Sequence, residues 1–266
     1  MVECPLCQGE KVLVGGRGDF ANARRCQCQQ PCPICNDEKY FYETDEFGYR
    51  NAIPCSCTRL DQKIDAFNEA GIPSRYLDAT FGRITVNQNA QDMAIARQKA
   101  WRFAREFESG VQGLLFYGST GTGKTYLTIA ILRYLLINRG VRARFSEFMH
   151  LLSALRASYG DRGKAEDVLR PLVDVPLLVI DELGKGRGTD WELSVLDELI
   201  SKRYNAQRTT IFTTNYGIDS VQSGGQQEEA LLDRVGVRIH SRLMEMCEPV
   251  RLTGYDYRRE LGQQHR

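Results

Sequence analysis

Apolar positions along the chain follow two regimes. Within the first 57 residues they form short runs, Lys11-Val12-Leu13-Val14 and Lys39-Tyr40-Phe41-Tyr42, each leading into turns that contain Gly or Asp, which predicts two small hairpins. From Leu60 onward, helical and strand-like patterns alternate. A polar helix is predicted over 58–70, closed by Gly71 and Ile72-Pro73, and a longer helix over 91–108. The run Leu114-Leu115-Phe116-Tyr117 precedes a helical stretch over 126–138. Further strands are predicted near 142–146, over 176–180 and over 209–215. Between the first two of these, residues 147–172 place Leu151, Leu152, Leu155 and Tyr159 at helical spacing, as on an amphipathic helix. Pro176-Leu177-Leu178-Val179-Ile180 has no polar alternation, the mark of a strand covered on both faces.

At 266 residues, with 42% hydrophobic and 26% charged positions, the chain is long enough for two folded units and excludes global disorder. The formal net charge of +1 means that any contact with nucleic acid must come from a local patch. MVECPLCQGE lacks the basic and apolar regions of a secretory signal, and the longest apolar stretch, 126–137, is interrupted by Arg133. Because a bilayer needs about 20 apolar residues, the expectation is a cytoplasmic protein with no membrane segment.

Eight of the nine cysteines lie within residues 1–57. They read as one unit written twice: Cys4-Pro-Leu-Cys7 with Cys26-Gln-Cys28, then Cys32-Pro-Ile-Cys35 with Cys55-Ser-Cys57. Glu10-Lys11 and Glu38-Lys39 recur at the same offset, which favours an internal duplication. Thiolates two or three residues apart on a tight turn can share a tetrahedral ion, so each unit predicts a closed, structural Cys4 zinc site. Four disulfides are the competing reading, disfavoured where no secretory signal is present. Sequential grouping assigns Cys4, Cys7, Cys26 and Cys28 to one ion and Cys32, Cys35, Cys55 and Cys57 to the other. A nested grouping would join the outermost pairs, as in the zinc region of DnaJ-type chaperones, to which Cys4-Pro-Leu-Cys7-Gln-Gly is similar; a duplicated unit should instead close its own site. The predicted organisation is a zinc module at 1–58, a linker helix at 59–76 and a nucleotide-binding domain at 77–266. Cys247, alone in Leu-Met-Glu-Met-Cys, reads as a small buried residue.

Gly118-Ser119-Thr120-Gly121-Thr122-Gly123-Lys124-Thr125 is G-x-x-x-x-G-K-T between a strand and a helix, the context that a phosphate-binding loop requires. Its backbone N–H groups curl around a polyphosphate, Lys124 neutralises the β and γ phosphates, and Thr125 places its hydroxyl on Mg²⁺. The apolar strand that ends at Ile180 is followed by Asp181, in reach of the Mg²⁺ shell, and Glu182, placed to polarise an attacking water. Asn215, at the tip of Thr209-Thr210-Ile211-Phe212-Thr213-Thr214, can hydrogen-bond the γ-phosphate or that water. Arg234, Arg238 and Arg242 recur at spacing four and predict one helical stripe. Thr189-x-x-Glu192 is a capping box that should start a helix after a loop carrying Lys185 and Arg187, beside Trp191. Cations next to an aromatic suit single-stranded nucleic acid, gripped by phosphate and stacked by base.

In this order, the phosphate loop, the Asp-Glu strand end and Thr-Thr-Asn, together with Ile72-Pro73-Ser74-Arg75-Tyr76 and Ala79-Thr80-Phe81, resemble the AAA+ ATPases of the DnaC/DnaI helicase-loader and IstB family over about residues 64–259. The resemblance implies an α/β fold: a five-stranded parallel sheet flanked by helices, without the helical lid of larger AAA+ proteins. It implies ATP as ligand and a homo-oligomer, a ring or spiral, with sites between subunits. Arg242 in Ser241-Arg242-Leu243 takes the place of the arginine finger, with Arg238 in reserve, and Arg258 in Gly254-Tyr255-Asp256-Tyr257-Arg258 that of sensor 2. Tyr159 looks like the base-stacking position, and Thr189 and Trp191 fall where loaders touch single-stranded DNA. The expected function is ATP-dependent loading of a replicative helicase onto single-stranded DNA, the zinc module docking on the helicase. An IstB-like ATPase assisting a transposase and a zinc adaptor with a nucleotide switch are the alternatives.

Overall fold

The computed structural model describes residues 4–86, 90–158, 162–218, 222–223, 226–227, 229–254 and 256–257. Two antiparallel hairpins open the chain, β1 (Val12–Arg17) with β2 (Phe20–Arg25) and β3 (Tyr40–Thr44) with β4 (Arg50–Pro54). Helix α1 (Thr58–Glu69) follows, then α2 (Gln91–Glu106), β5 (Gly113–Tyr117) and α3 (Lys124–Tyr134), extended by a π turn over Leu135–Arg139. Next come β6 (Ala143–Glu147), α4 (Phe148–Ala157), α5 (Arg162–Asp174), β7 (Leu177–Asp181), α6 (Asp190–Asn205) and β8 (Thr209–Thr214). A two-residue pair, β9 (Gln222–Ser223) and β10 (Gln226–Gln227), precedes α7 (Leu231–Met246) and β11 (Cys247–Arg251).

The central sheet runs β11-β5-β8-β7-β6, with every neighbouring pair parallel. Successive strand residues face opposite sides, and both sides are covered. Leu114, Phe116, Leu177, Val179 and Ile211 join a core with α2 and α3, while Leu115, Leu178, Ile180 and Phe212 join a second core with α4 to α7. The expected five-stranded parallel sheet flanked by helices is therefore observed. No helix among the described residues is long and apolar enough to cross a membrane.

Burial on both faces makes an unpaired polar atom costly, and Arg203 shows how one polar side chain is accommodated. Its guanidinium is 1% exposed and donates to the carbonyls of Leu172 (2.7 Å), Val173 (3.0 Å), Val175 (3.0 Å) and Thr209 (2.5 Å) and to Thr210 Oγ1 (2.9 Å). Burial pulls its pKa down to about 9, so it stays a cation at neutral pH. One side chain thus fastens the end of α5 and the start of β8 to α6. Cys247 is buried as expected and donates to Thr210 O at 3.3 Å; burial pushes its thiol well up.

The first hairpin packs into the core formed with α2 and α3. Val12, Ala21 and Ala23 are buried with Phe67 and Ile72. Ala21 N donates to Ile72 O (2.8 Å), Ser74 N to Asp19 O (2.8 Å), and the Asn68 amide exchanges two bonds with the backbone of Ala23, at 2.6 and 3.2 Å. Glu10 reaches Arg133 of α3 at 3.5 Å. Salt bridges from Asp61 of α1 to Arg25 (2.8 Å) and Lys39 (3.3 Å) hold both hairpins to the same helix.

Candidate nucleotide and metal sites

The carboxyl ends of β5, β7, β8 and β6 meet at one edge of the sheet, where a parallel α/β sheet places its ligands. The 118–125 loop leaves β5 with Gly118 at φ +125°, and a Cβ there would lie 2.1 Å from Leu252 O. At Gly121 (φ +82°) a Cβ would lie 2.0 Å from Asp256 Oδ1. Both positions require glycine for conformation and for space. Lys124 is buried at the start of α3 and donates to the loop's own carbonyls, Gly118 O at 2.8 Å and Ser119 O at 2.6 Å. Its ammonium is thereby held inside the curl of backbone that a phosphate would fill.

Thr125 Oγ1 donates to Asp181 Oδ1 (3.0 Å) and Oδ2 (3.2 Å), so the two expected magnesium ligands are adjacent. Asp181 is 1% exposed, and burial raises its pKa against the bonds it accepts from Thr213 and Thr125. A hydroxyl and a buried carboxylate beside a phosphate loop are the oxygen donors that Mg²⁺ prefers, so the residues fit that ion. Glu182 sits at φ +58°, a left-handed conformation that costs a non-glycine residue on the order of 1–3 kcal/mol. Thr213 holds it there: its Oγ1 accepts from Glu182 N (3.0 Å) and donates to Asp181 Oδ1 (2.5 Å), while its carbonyl accepts from Leu183 N (2.8 Å). Lys185 Nζ lies 2.5 Å from Glu182 Oε2, and that carboxylate raises the lysine's pKa. Asn215 is exposed immediately beyond β8, two residues past Thr213.

Three residues here escaped the sequence reading. Thr213 organises both acids, yet in Thr-Thr-Ile-Phe-Thr-Thr-Asn nothing separates it from its neighbours. Glu147 ends β6 in register with Asp181, and the direct pairing of those strands is invisible in sequence. Asp256 lies against the phosphate loop, and Tyr257 N donates to Gly121 O at 3.0 Å, so the closing segment reaches the loop. Arg258 and Tyr159 fall outside the described residues.

The arginine stripe needs correction. Gly236, at φ +77° and ψ 160°, kinks α7 and sends the arginines to different places. Arg234 donates to the carbonyls of Gly184 (2.9 Å) and Gly186 and lies over Tyr216 at 5.3 Å, bracing the loop that follows Glu182. Arg238 and Arg242 instead approach Asp197 of α6, at 3.5 and 2.7 Å; Arg242 also donates to Ser201 Oγ at 2.5 Å, and Arg238 is 72% exposed.

The capping box forms as predicted, Glu192 N donating to Thr189 Oγ1 at 3.3 Å and Thr189 N to Glu192 Oε2 at 3.4 Å. Lys185, Arg187 and Thr189 are exposed on that loop. Trp191 is half-buried against the second core, with the Arg156 guanidinium 4.8 Å above its ring; Arg156 also pairs at 2.8 Å with the buried Glu192. Packing therefore accounts for much of the indole, and the sequence reading missed Arg156 as its cap.

In the hairpin region the sulfurs group sequentially. Cys4, Cys7, Cys26 and Cys28 lie within 4.8 Å of one another, as do Cys32, Cys35, Cys55 and Cys57. The Sγ···Sγ separations Cys4–Cys26 3.8 Å, Cys7–Cys28 3.5 Å, Cys32–Cys55 3.6 Å and Cys35–Cys57 3.4 Å are too long for disulfides. A tetrahedron with Zn–S bonds of about 2.3 Å has edges of about 3.8 Å, so both thiol sets fit zinc. In each copy the first cysteine is held down to a pKa of about 7 by backbone N–H groups, those of Cys7 and Leu6 on Cys4 and of Cys35 and Ile34 on Cys32.

Comparison with known proteins bears on this arrangement. The family model described as IstB-like ATP binding protein matches residues 85–264. A curated relative, the replicative helicase loader DnaC of Escherichia coli (strain K12), is 29% identical over 193 residues, 72% of this chain and 78% of the relative. A crystal structure of the DnaC helicase loader superposes with a TM-score of 0.58 at 30% identity, covering 67% of this chain and 99% of that one. A crystal structure of DnaI does so with a TM-score of 0.55 at 26% identity, covering 70% and 94%.

Proposed function

The chain belongs to the IstB-like ATP-binding protein family, and from that premise we propose that it is an ATP-dependent loader that delivers a replicative ring helicase onto single-stranded DNA. One observation carries the reading: a DnaC helicase loader structure is matched over 99% of its length, and the phosphate loop, Asp181 and Glu182 share one edge of the sheet.

Backbone N–H groups of residues 118–125 would hold the phosphates of ATP, and Lys124 would leave the Gly118 and Ser119 carbonyls to neutralise the β and γ groups. Thr125 and Asp181 would hold Mg²⁺, which supplies charge neutralisation between the phosphates. Glu182, fixed by Thr213, accepts the proton of the attacking water, and Asn215 orients that water. Arg242, or Arg238 from its more exposed position, reaches the γ-phosphate of a neighbouring subunit in a homo-oligomeric ring or spiral, and Arg258 acts on the subunit's own nucleotide. Lys185, Arg187, Thr189 and Trp191 would contact single-stranded DNA, and Tyr159 keeps the base-stacking role that the family resemblance implies. Cys4, Cys7, Cys26 and Cys28, and Cys32, Cys35, Cys55 and Cys57, would each hold one zinc ion that fixes its hairpin, and the hairpin region would dock on the helicase.

The match to a family described as IstB-like ATP binding protein keeps a second reading, a helper ATPase that assists a transposase on double-stranded DNA; a third, a nucleotide switch with little turnover, is separable by kinetics. Glu182→Gln should bind ATP like the wild type and hydrolyse about 10²–10⁴-fold more slowly, and with ATP it should hold the purified replicative helicase in a stable complex. A wild type already as slow as Glu182→Gln would support the switch. A complex with the transposase and none with the helicase would support the second reading.

A further inference from the structure

The two zinc units are copies, but their surroundings differ. Counted from their cysteines, Val12 and Val14 of the first unit correspond to Tyr40 and Tyr42 of the second, and Ala23 corresponds to Ala52. Strand register agrees, since Val14 pairs with Ala23 and Tyr42 with Ala52. Residues paired across an antiparallel ladder share a face. In the first copy that face is occupied from within the chain: Val12 is 3% exposed, Val14 packs on the core, and α1 covers it. In the second copy the equivalent face is open, with Tyr40 50% and Tyr42 57% exposed, and the hairpin tip adds Phe47 at 76% and Tyr49 at 71%.

Exposed aromatics so concentrated on one small hairpin exceed the scattered apolar surface of an ordinary protein. The two tyrosines and the tip supply rigid contact area of the kind that anchors interfaces. The surrounding charge is mainly acidic: Glu43, Asp45 and Glu46 are exposed around the tip, while the main cation on the face, Arg50, lies 4.7 Å over the Tyr42 ring. That balance repels a phosphate backbone and complements a basic protein surface.

We propose that the Tyr40, Tyr42 and Ala52 face of the second hairpin, with Phe47 and Tyr49, grips a partner protein through an apolar helix flanked by Lys or Arg, as the first copy grips α1. The first copy is committed to the ATPase core, so the duplication divides labour between an inner buttress and an outer hand. This rests on the loader reading, which makes the partner the replicative helicase.

The test uses full-length chain and purified replicative helicase, with binding measured by mass photometry and surface plasmon resonance. Tyr40→Ser/Tyr42→Ser should weaken binding about tenfold or more, while zinc content, one ion for each of the two thiol sets, and the thermal midpoint stay at wild-type values. Should that variant misfold, Glu43→Lys/Glu46→Lys on the exposed rim should also weaken binding, more so at low salt. Wild-type affinity in a folded variant would overturn the assignment and leave the loader reading intact. A wild type that never binds the helicase would instead remove the loader reading, and the assignment with it. Loss of ATP-driven self-assembly, or of affinity for an oligo-dT strand, with helicase binding retained would make the face a contact between copies or with nucleic acid and would overturn it as well.

Discussion

Lys185 holds the carboxylate of Glu182 at 2.5 Å, three residues away on the same loop. The residue proposed to activate water is therefore ion-paired to a residue proposed to touch DNA, so on the loader reading a DNA phosphate that draws Lys185 away would free Glu182. Lys185→Ala should raise DNA-free ATP turnover severalfold and abolish further stimulation by oligo-dT. Steady-state phosphate release with and without oligo-dT checks this, and a variant slower than the wild type under both conditions would count against it.

Arg242 is engaged within its own subunit by Asp197 and Ser201, so the proposed service to a neighbour would require that these contacts be exchanged on assembly. Arg242→Ala should slow hydrolysis about 10³-fold or more. Mixing it with Glu182→Gln should restore part of the activity, because one interface then combines an intact acid with an intact arginine. Phosphate release across a titration of the two inactive chains gives the answer; a flat, inactive titration would place the arginine's action inside its own subunit.

Arg203→Met should lower stability by about 3–5 kcal/mol, since Leu172, Val173, Val175 and Thr209 would keep buried carbonyls without a donor. In a chain of this size the thermal midpoint should fall by about 10 °C. Scanning calorimetry of the nucleotide-free protein measures it, and a shift under about 2 °C would mean that water or another side chain takes over those carbonyls.

The two Cys4 sites should respond unequally. The hairpin of Cys26 covers α1 and contributes Val12, Ala21 and Ala23 to the ATPase-side core, whereas that of Cys55 exposes its face. Cys26→Ser should lower the midpoint of the main unfolding transition, and Cys55→Ser should release its zinc with little effect on that midpoint. Metal analysis alongside the melting curves tests the asymmetry, which equal shifts would contradict.

The parts of this protein that were legible in the sequence share a local origin. The phosphate loop, the apolar strand before Asp181, the Thr189 cap and the cysteine pairs each declare themselves within a few residues, because backbone conformation, covering on both faces and ligand spacing are local requirements. The pairing of sulfurs into two separate sets also followed from the repeat. What escaped depends on residues far apart in the chain. Thr213 matters because β8 lies beside β7, Arg203 because the end of α5 turns against it, and Arg156 because the end of α4 reaches the start of α6. The arginine stripe fails for a local reason: Gly236 takes a conformation that breaks the helical period between Arg234 and Arg238.

The most direct test of the loader account is assembly of the purified replicative helicase on closed circular single-stranded DNA coated with single-strand-binding protein, read as unwinding of an annealed oligonucleotide. The account predicts unwinding only when this chain and ATP are both present, with no unwinding for Lys124→Ala. Unwinding that is the same with and without the chain, or that Lys124→Ala supports fully, would contradict it.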